Sequence, residues 1–120
     1  MRARFEGTEV WVRFDDSANR WRVTLDQGRS GQIELSRPLD RDLRIVGLAP
    51  GQHEIRVEKI SESSMPTGLG GILIKGDEAR ALPAWPAARR MIEFIGDSDT
   101  VGFANGARSR DCTEAEVFAT

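Results

Sequence analysis

Gln52-His53-Glu54-Ile55-Arg56-Val57-Glu58-Lys59 alternates strictly: His53, Ile55 and Val57 fall on one side, Glu54, Arg56 and Glu58 on the other. A period of two belongs to a β-strand with one face in a core and one in water, because successive side chains leave an extended backbone on opposite sides. The pattern recurs upstream. Val10, Val12 and Phe14 alternate with Glu9, Trp11 and Arg13, and Trp21, Val23 and Leu25 alternate with Arg20, Arg22 and Thr24. Turn-forming clusters at Asp15 to Asn19 and Gln27 to Gly31 separate these runs. Ile33 and Leu35 mark a shorter run broken by Arg37-Pro38; Leu43 to Leu48 is another, closed by Ala49-Pro50-Gly51; Ile72-Leu73-Ile74 is the last. About six short strands at roughly ten-residue spacing, with no helical stripe before the Pro-rich region, predict an all-β fold. The expected architecture over residues 1–82 is a jelly-roll-like antiparallel β-sandwich, with Val12, Phe14, Val23, Leu25, Ile55 and Val57 between its sheets.

Composition narrows the function. The chain has 120 residues, 39% of them hydrophobic and 30% charged, with a formal net charge of -2. That is the balance of a globular domain with a core, and it lacks the basic excess of a nucleic-acid binder. Glu34, Asp40 and Asp42 are interleaved with Arg37 and Arg41, which reads as a mixed, solvated surface. No apolar run is long enough to cross a bilayer, and Met1-Arg2-Ala3-Arg4 leads straight into strand-like sequence rather than a signal peptide. The single Cys112 excludes an internal disulfide or a multi-cysteine metal site and reads as a packed thiol; no metal or cofactor is expected. His53 is the one imidazole available as a base.

The pattern changes at Ala81-Leu82-Pro83-Ala84-Trp85-Pro86-Ala87-Ala88, where two prolines among alanines favour an extended connector. Residues 83–90 are therefore read as a linker and 91–120 as the start of a second domain. Met91-Ile92-Glu93-Phe94-Ile95 is short and mostly apolar, as in a parallel strand buried on both faces. Gly96-Asp97-Ser98 comes directly after it. A strand ending in Gly can turn sharply and present a serine hydroxyl at the carboxyl edge of a sheet, with the serine N–H free to meet an oxyanion. Alone, the same triplet is also an ordinary turn or helix cap, and Asp97 could simply cap the next turn.

Arg90 to Ser98 resembles the first block of GDSL-type (SGNH) hydrolases, and most closely the two-domain esterases of carbohydrate esterase family 2. Phe5-Glu6-Gly7-Thr8, Gly47-Leu48, Gly51-Gln52-His53, Glu58-Lys59 and Gly102-Phe103-Ala104-Asn105 carry the same likeness, so it covers nearly the whole chain. The resemblance implies a jelly-roll sandwich followed by the first strand-turn segment of an α/β SGNH domain that deacetylates polysaccharides such as xylan, or small esters. It implies that Ser98 is the nucleophile and one oxyanion donor, supported by the turn at Gly96 and Asp97. The base His and the other oxyanion donors then belong to blocks beyond Thr120. A secreted or periplasmic location is implied in the same way. Asp99, where the family usually has an aliphatic residue before Thr100, is a departure; facing inward it would oppose an alkoxide.

Other readings stand beside this one. The sandwich could itself be a non-catalytic carbohydrate-binding or interaction module. Trp11, on the polar side of its strand, and Trp85, in the connector, are the candidates for stacking on sugar rings, although partial burial is the usual fate of tryptophan. His53 lies in the apolar register and is read as structural rather than as the base for Ser98. The apolar run at Met91 to Ile95 needs cover and is expected to pair with the sandwich edge, another chain or the rest of a catalytic domain.

Overall fold

Alternation turns into eight strands in the computed structural model, which describes residues 1–39, 41–61, 65–76, 78–86, 92–97, 109, 111–113 and 116. In chain order they are β1 (Arg2–Glu6), β2 (Glu9–Asp15), β3 (Arg20–Leu25), β4 (Gln32–Ser36), β5 (Asp42–Val46), β6 (Gln52–Lys59), β7 (Gly68–Lys75) and β8 (Arg80–Leu82). One sheet has the order β4-β3-β6-β1-β8 and the other β5-β2-β7, and every pairing is antiparallel. The chain changes sheet at nearly every connection, as a jelly roll requires. The chain divides into two units, Met1–Ala84 and Trp85–Thr120.

Between the sheets Phe5, Val10, Val12, Phe14, Trp21, Val23, Leu25, Ile55 and Val57 form one buried cluster. All six residues expected between the sheets are in it. Register explains why: Val23 lies opposite Val57, and Leu25 opposite Ile55. The period of two then sends Arg22, Thr24, Arg56 and Glu58 outward together. On that outer face Arg2 grips Glu54 through two hydrogen bonds of 2.8 and 2.9 Å, Glu34 binds Arg20 and Arg22, and Arg80 binds Glu6. These pairs are partly or largely exposed, so they fix register and solubility more than they add stability.

Alternation gave six runs; β1 and β8 were not among them, and β7 starts at Gly68 rather than at Ile72. In β7 the partner of Arg13 is Gly71 and that of Phe14 is Leu69, so Gly70 is an inserted residue. This bulge lets Leu69 and Ile72, three apart, both pack against the core. β8 ends where the connector read as 83–90 begins; it is three residues long, lies at a sheet edge beside β1, and is followed by Pro83. Short length and a flanking proline are common features of protected edges.

The second unit obeys different rules. Residues 92–97 form no strand, and Ile92, Phe94 and Ile95 are 83%, 81% and 89% exposed. The strand expected over Met91 to Ile95 is thus not formed at 92–95, and Met91 lies outside the described residues. A parallel strand exists only through its neighbours, which satisfy its backbone on both sides, and none pairs here among the described residues. Further on, Thr113 and Glu116 form a reciprocal cap, Thr113 N–H donating to the Glu116 carboxylate at 2.8 Å and Glu116 N–H to the Thr113 hydroxyl at 3.4 Å. That is a capping box, and Glu116 is helical.

Ile55 is fully buried between Leu25 and Ala3 on the adjoining strands. Ile55→Ala should cost about 2–5 kcal/mol, from lost burial plus the cavity left behind. Chemical denaturation should show a lower midpoint with an unchanged slope.

Candidate functional site

Of the predicted nucleophile turn, Gly96 and Asp97 are described and exposed, without regular structure; Ser98 lies outside the described residues. The chemistry visible in the structure belongs to the sandwich, where two buried polar clusters tie its loops.

The first stands at the turn from β2 to β3. Asn19 is 0% exposed, and each of its polar groups is engaged. Its backbone N–H donates to Asp16 Oδ1 at 2.8 Å, and its side-chain amide donates to Asp16 Oδ2 at 2.8 Å and to Thr67 Oγ1 at 3.0 Å. Its Oδ1 accepts from the Ser61 hydroxyl at 3.1 Å, and its carbonyl accepts from Arg37 N–H at 2.9 Å. Burial alone would raise the pKa of Asp16. Hydrogen bonds from Asn19 and Ala18 outweigh it and hold the carboxyl below its ordinary value. The nearby Trp21 indole N–H contributes in the same direction. It lies outside hydrogen-bond geometry, however, and is the one buried side-chain polar atom without a partner among the described residues.

Beside this cluster lies an open cleft of about 470 Å³, lined by Asp15, Asp16, Ser17, Leu39, Met65, Pro66, Thr67 and Gly68. Gly68 is there because nothing larger fits: a Cβ would come within 2.7 Å of the Asp15 carbonyl oxygen.

The second cluster ties the turn after β3 to β6. Asp26 accepts from His53 Nδ1 at 2.9 Å, from Glu54 N–H at 2.9 Å and from the Ser30 hydroxyl. His53 Nε2 lies 2.7 Å from the Ala49 carbonyl. A carbonyl and an ionised carboxylate only accept hydrogen bonds, so both contacts are satisfied together only when each ring nitrogen carries a proton. Burial opposes that charge, but the Ala49 and Asp26 contacts win, and the His53 pKa stands above its ordinary 6.5. For Asp26, burial is likewise outweighed, by Ser30, Glu54 and His53, and its pKa falls below 3.8. An imidazolium with both nitrogens donating has no lone pair to accept a proton. His53 is therefore a structural clamp, stacked on Phe5 at 5.4 Å, and not a general base.

Trp11 is not an open platform. The Arg44 guanidinium sits 4.3 Å from its ring centroid, Lys75 Nζ lies 5.1 Å away, and its indole N–H is held by Glu9. Trp85 is 52% exposed. Among the described residues no group of His, Cys, Asp and Glu could hold a metal ion, and no helix is long and apolar enough to cross a membrane.

The described residues thus define a β-sandwich domain with clamped loops and no assembled nucleophile–base pair. Comparison with known proteins says which. The description "Carbohydrate esterase 2 N-terminal" fits residues 1–86, and the chain belongs to that family. It is 37% identical over 116 residues to an acetylxylan esterase / glucomannan deacetylase of Cellvibrio japonicus (strain Ueda107), covering 97% of this chain and 31% of the relative. A solved structure of a carbohydrate esterase, whose active site displays divergent catalytic and non-catalytic binding functions, superposes with a TM-score of 0.74 at 32% identity. It matches 98% of this chain and 32% of its own. A family 2 carbohydrate esterase with a carbohydrate-binding domain, from Corynascus thermopiles (Myceliophthora fergusii), gives 0.69 at 26% identity, over 98% and 36%. The chain thus spans about a third of the length of these relatives.

The clamp at His53 sets a pH dependence. A raised histidine pKa adds stability that is complete below 6.5 and lost as pH rises through the folded value. A lowered aspartate pKa adds stability that is present above 3.8 and lost as pH falls through the folded value. The sandwich should therefore gain most from this pair between those two values. Thermal melts should show a midpoint that declines above the histidine range in the parent protein and stays flat there in His53→Gln.

Proposed function

We propose that this chain is the N-terminal portion of a serine esterase that removes acetyl groups from a polysaccharide, or from a small acetyl ester, with Ser98 as the nucleophile. The observation that supports this best is the reach of the similarity. The Cellvibrio relative, an acetylxylan esterase / glucomannan deacetylase, matches 97% of the chain, well beyond the sandwich. Ser98 directly succeeds Gly96-Asp97, where a sharp turn can expose a hydroxyl.

In this reading the Ser98 hydroxyl attacks the acetyl carbonyl and hands its proton to a histidine outside this sequence. The Ser98 N–H helps hold the oxyanion, and the collapsing intermediate expels the sugar oxygen, which takes up that proton. Water then releases acetate. His53 cannot stand in as base, because both its ring nitrogens already donate. The apolar side chains of Ile92, Phe94 and Ile95 are suited to a sheet covered on both faces, which the remainder of a catalytic domain would provide.

The complete protein should deacetylate acetylated xylan or glucomannan, and Ser98→Ala should lower kcat/KM by about three orders of magnitude or more. Residues 1–120 alone should show no turnover. Wild-type activity in the variant would overturn Ser98 as the nucleophile, and a Ser98-dependent activity in the fragment would overturn the placing of the base outside residues 1–120.

A further inference from the structure

The cleft beside Asn19 has features that the fold does not require. Leu39 forms part of its wall, is 46% exposed, and sits at φ 59°, in the left-handed region that a bulky residue avoids. Arg37, two residues earlier, is left-handed as well, at φ 50°, and Pro38 between them is buried. The conformation is imposed from within: Leu39 N–H donates to the Asp16 carbonyl at 2.7 Å, and Arg37 N–H to that of Asn19. An apolar side chain left nearly half in water on a strained backbone is a cost that its packing offsets only in part. Such strain persists where the surroundings over-determine it, and it concentrates at ligand sites.

The rest of the lining completes an amphipathic surface. Met65, 58% exposed, and Pro66 extend the apolar wall. Asp15 and Ser17 supply a carboxylate and a hydroxyl that make no side-chain hydrogen bond within the described structure, whereas the Thr67 hydroxyl already accepts from Asn19 at 3.0 Å and donates to the Met65 carbonyl at 3.3 Å. Apolar wall and polar rim rest on the fully bonded Asp16–Asn19 cluster, so their spacing is preset.

We infer that this cleft binds a neutral pyranose unit of a polysaccharide chain. A pyranose ring has an apolar C–H face and an equator of hydroxyls. The face matches the wall of Leu39, Met65 and Pro66, and adjacent hydroxyls match a carboxylate that can accept two hydrogen bonds. Asp15 and Asp16 bring negative charge to the cleft, which disfavours acidic sugars. The platform is aliphatic and the cleft open, so binding is weak and serves to hold a polymer near the protein. Only the sandwich is involved, so the cleft keeps this role whether or not Ser98 is a nucleophile.

The test is a two-dimensional amide NMR titration of residues 1–120 with xylo-, manno- and cello-oligosaccharides, with a glucuronate-bearing xylo-oligosaccharide alongside. At least one neutral ligand should give saturable shifts clustered at Ser17, Leu39, Thr67 and Gly68. Asp15→Ala should weaken that binding about tenfold or more. Leu39→Gly should also weaken it while leaving the melting temperature equal or higher, since glycine relieves the strain. A purely structural role for Leu39 would instead lower the melting temperature. The inference fails if no neutral sugar shifts these residues, if the shifts gather elsewhere, if Asp15→Ala binds as well as the parent, or if the acidic sugar binds more tightly.

Discussion

A carboxamide removed from water must find a partner for every polar group it carries, and Asn19 meets that demand with four other residues. Those partners come from different parts of the chain: Asp16 from its own turn, Arg37 after β4, Ser61 after β6, and Thr67 before β7. Three loops that alternation leaves undefined are thereby fixed against one another. Ser61 carries the chain of bonds one step further, accepting from Arg20 N–H at 2.8 Å at the start of β3. The hydrophobic core decides which faces meet, but it is indifferent to how loops cross the end of a sandwich. One buried amide settles that end, and with it the shape of the cleft.

At the turn after β3 the same logic uses charge instead. Asp26 and Gln27 are themselves left-handed, at φ 50° and 59°. The turn they make is closed by Leu25 N–H donating to the Gly31 carbonyl at 3.0 Å. That hairpin would be free to splay without the clamp from Asp26 to His53 and Glu54 on β6. A buried carboxylate with no cation would be strongly destabilising, and a buried imidazolium with no anion equally so. Together they leave little unsatisfied, which is why the only histidine in the chain is committed to structure.

How far the sequence could be read depends on which interactions are local. Alternation is local, so Val12, Val23, Ile55 and Val57 declared their faces without help. The bulge at Gly70 breaks the alternation at the start of β7, and its reason, pairing with Arg13 and Phe14, is distant in sequence. β8 was hidden because three residues hold no periodicity and Pro83 follows them directly. The capping box at Thr113 and Glu116 was legible in principle, since its spacing is a local signal. The role of His53 could be half seen: its register said buried, but only the structure supplies two acceptors. Trp11 illustrates the converse. Its position on the outer face was readable, whereas the cations that cover its ring come from β5 and β7.

The two units differ in how their apolar residues are treated, and that difference bears on function. Every large apolar side chain of β2, β3 and β6 on the inner face is buried by another strand of the same unit. In 92–97 three large apolar residues out of six are exposed, spaced too closely for a surface loop chosen for water. A sequence keeps such a run only when burial is available in the working protein. The sandwich, by contrast, devotes its polar residues to closing its own loops and leaves the Asp15 and Ser17 side chains at the cleft for other contacts. In the functions proposed for them, chemistry that needs a sheet covered on both faces and recognition that needs only a firm rim place their demands on different stretches of one chain.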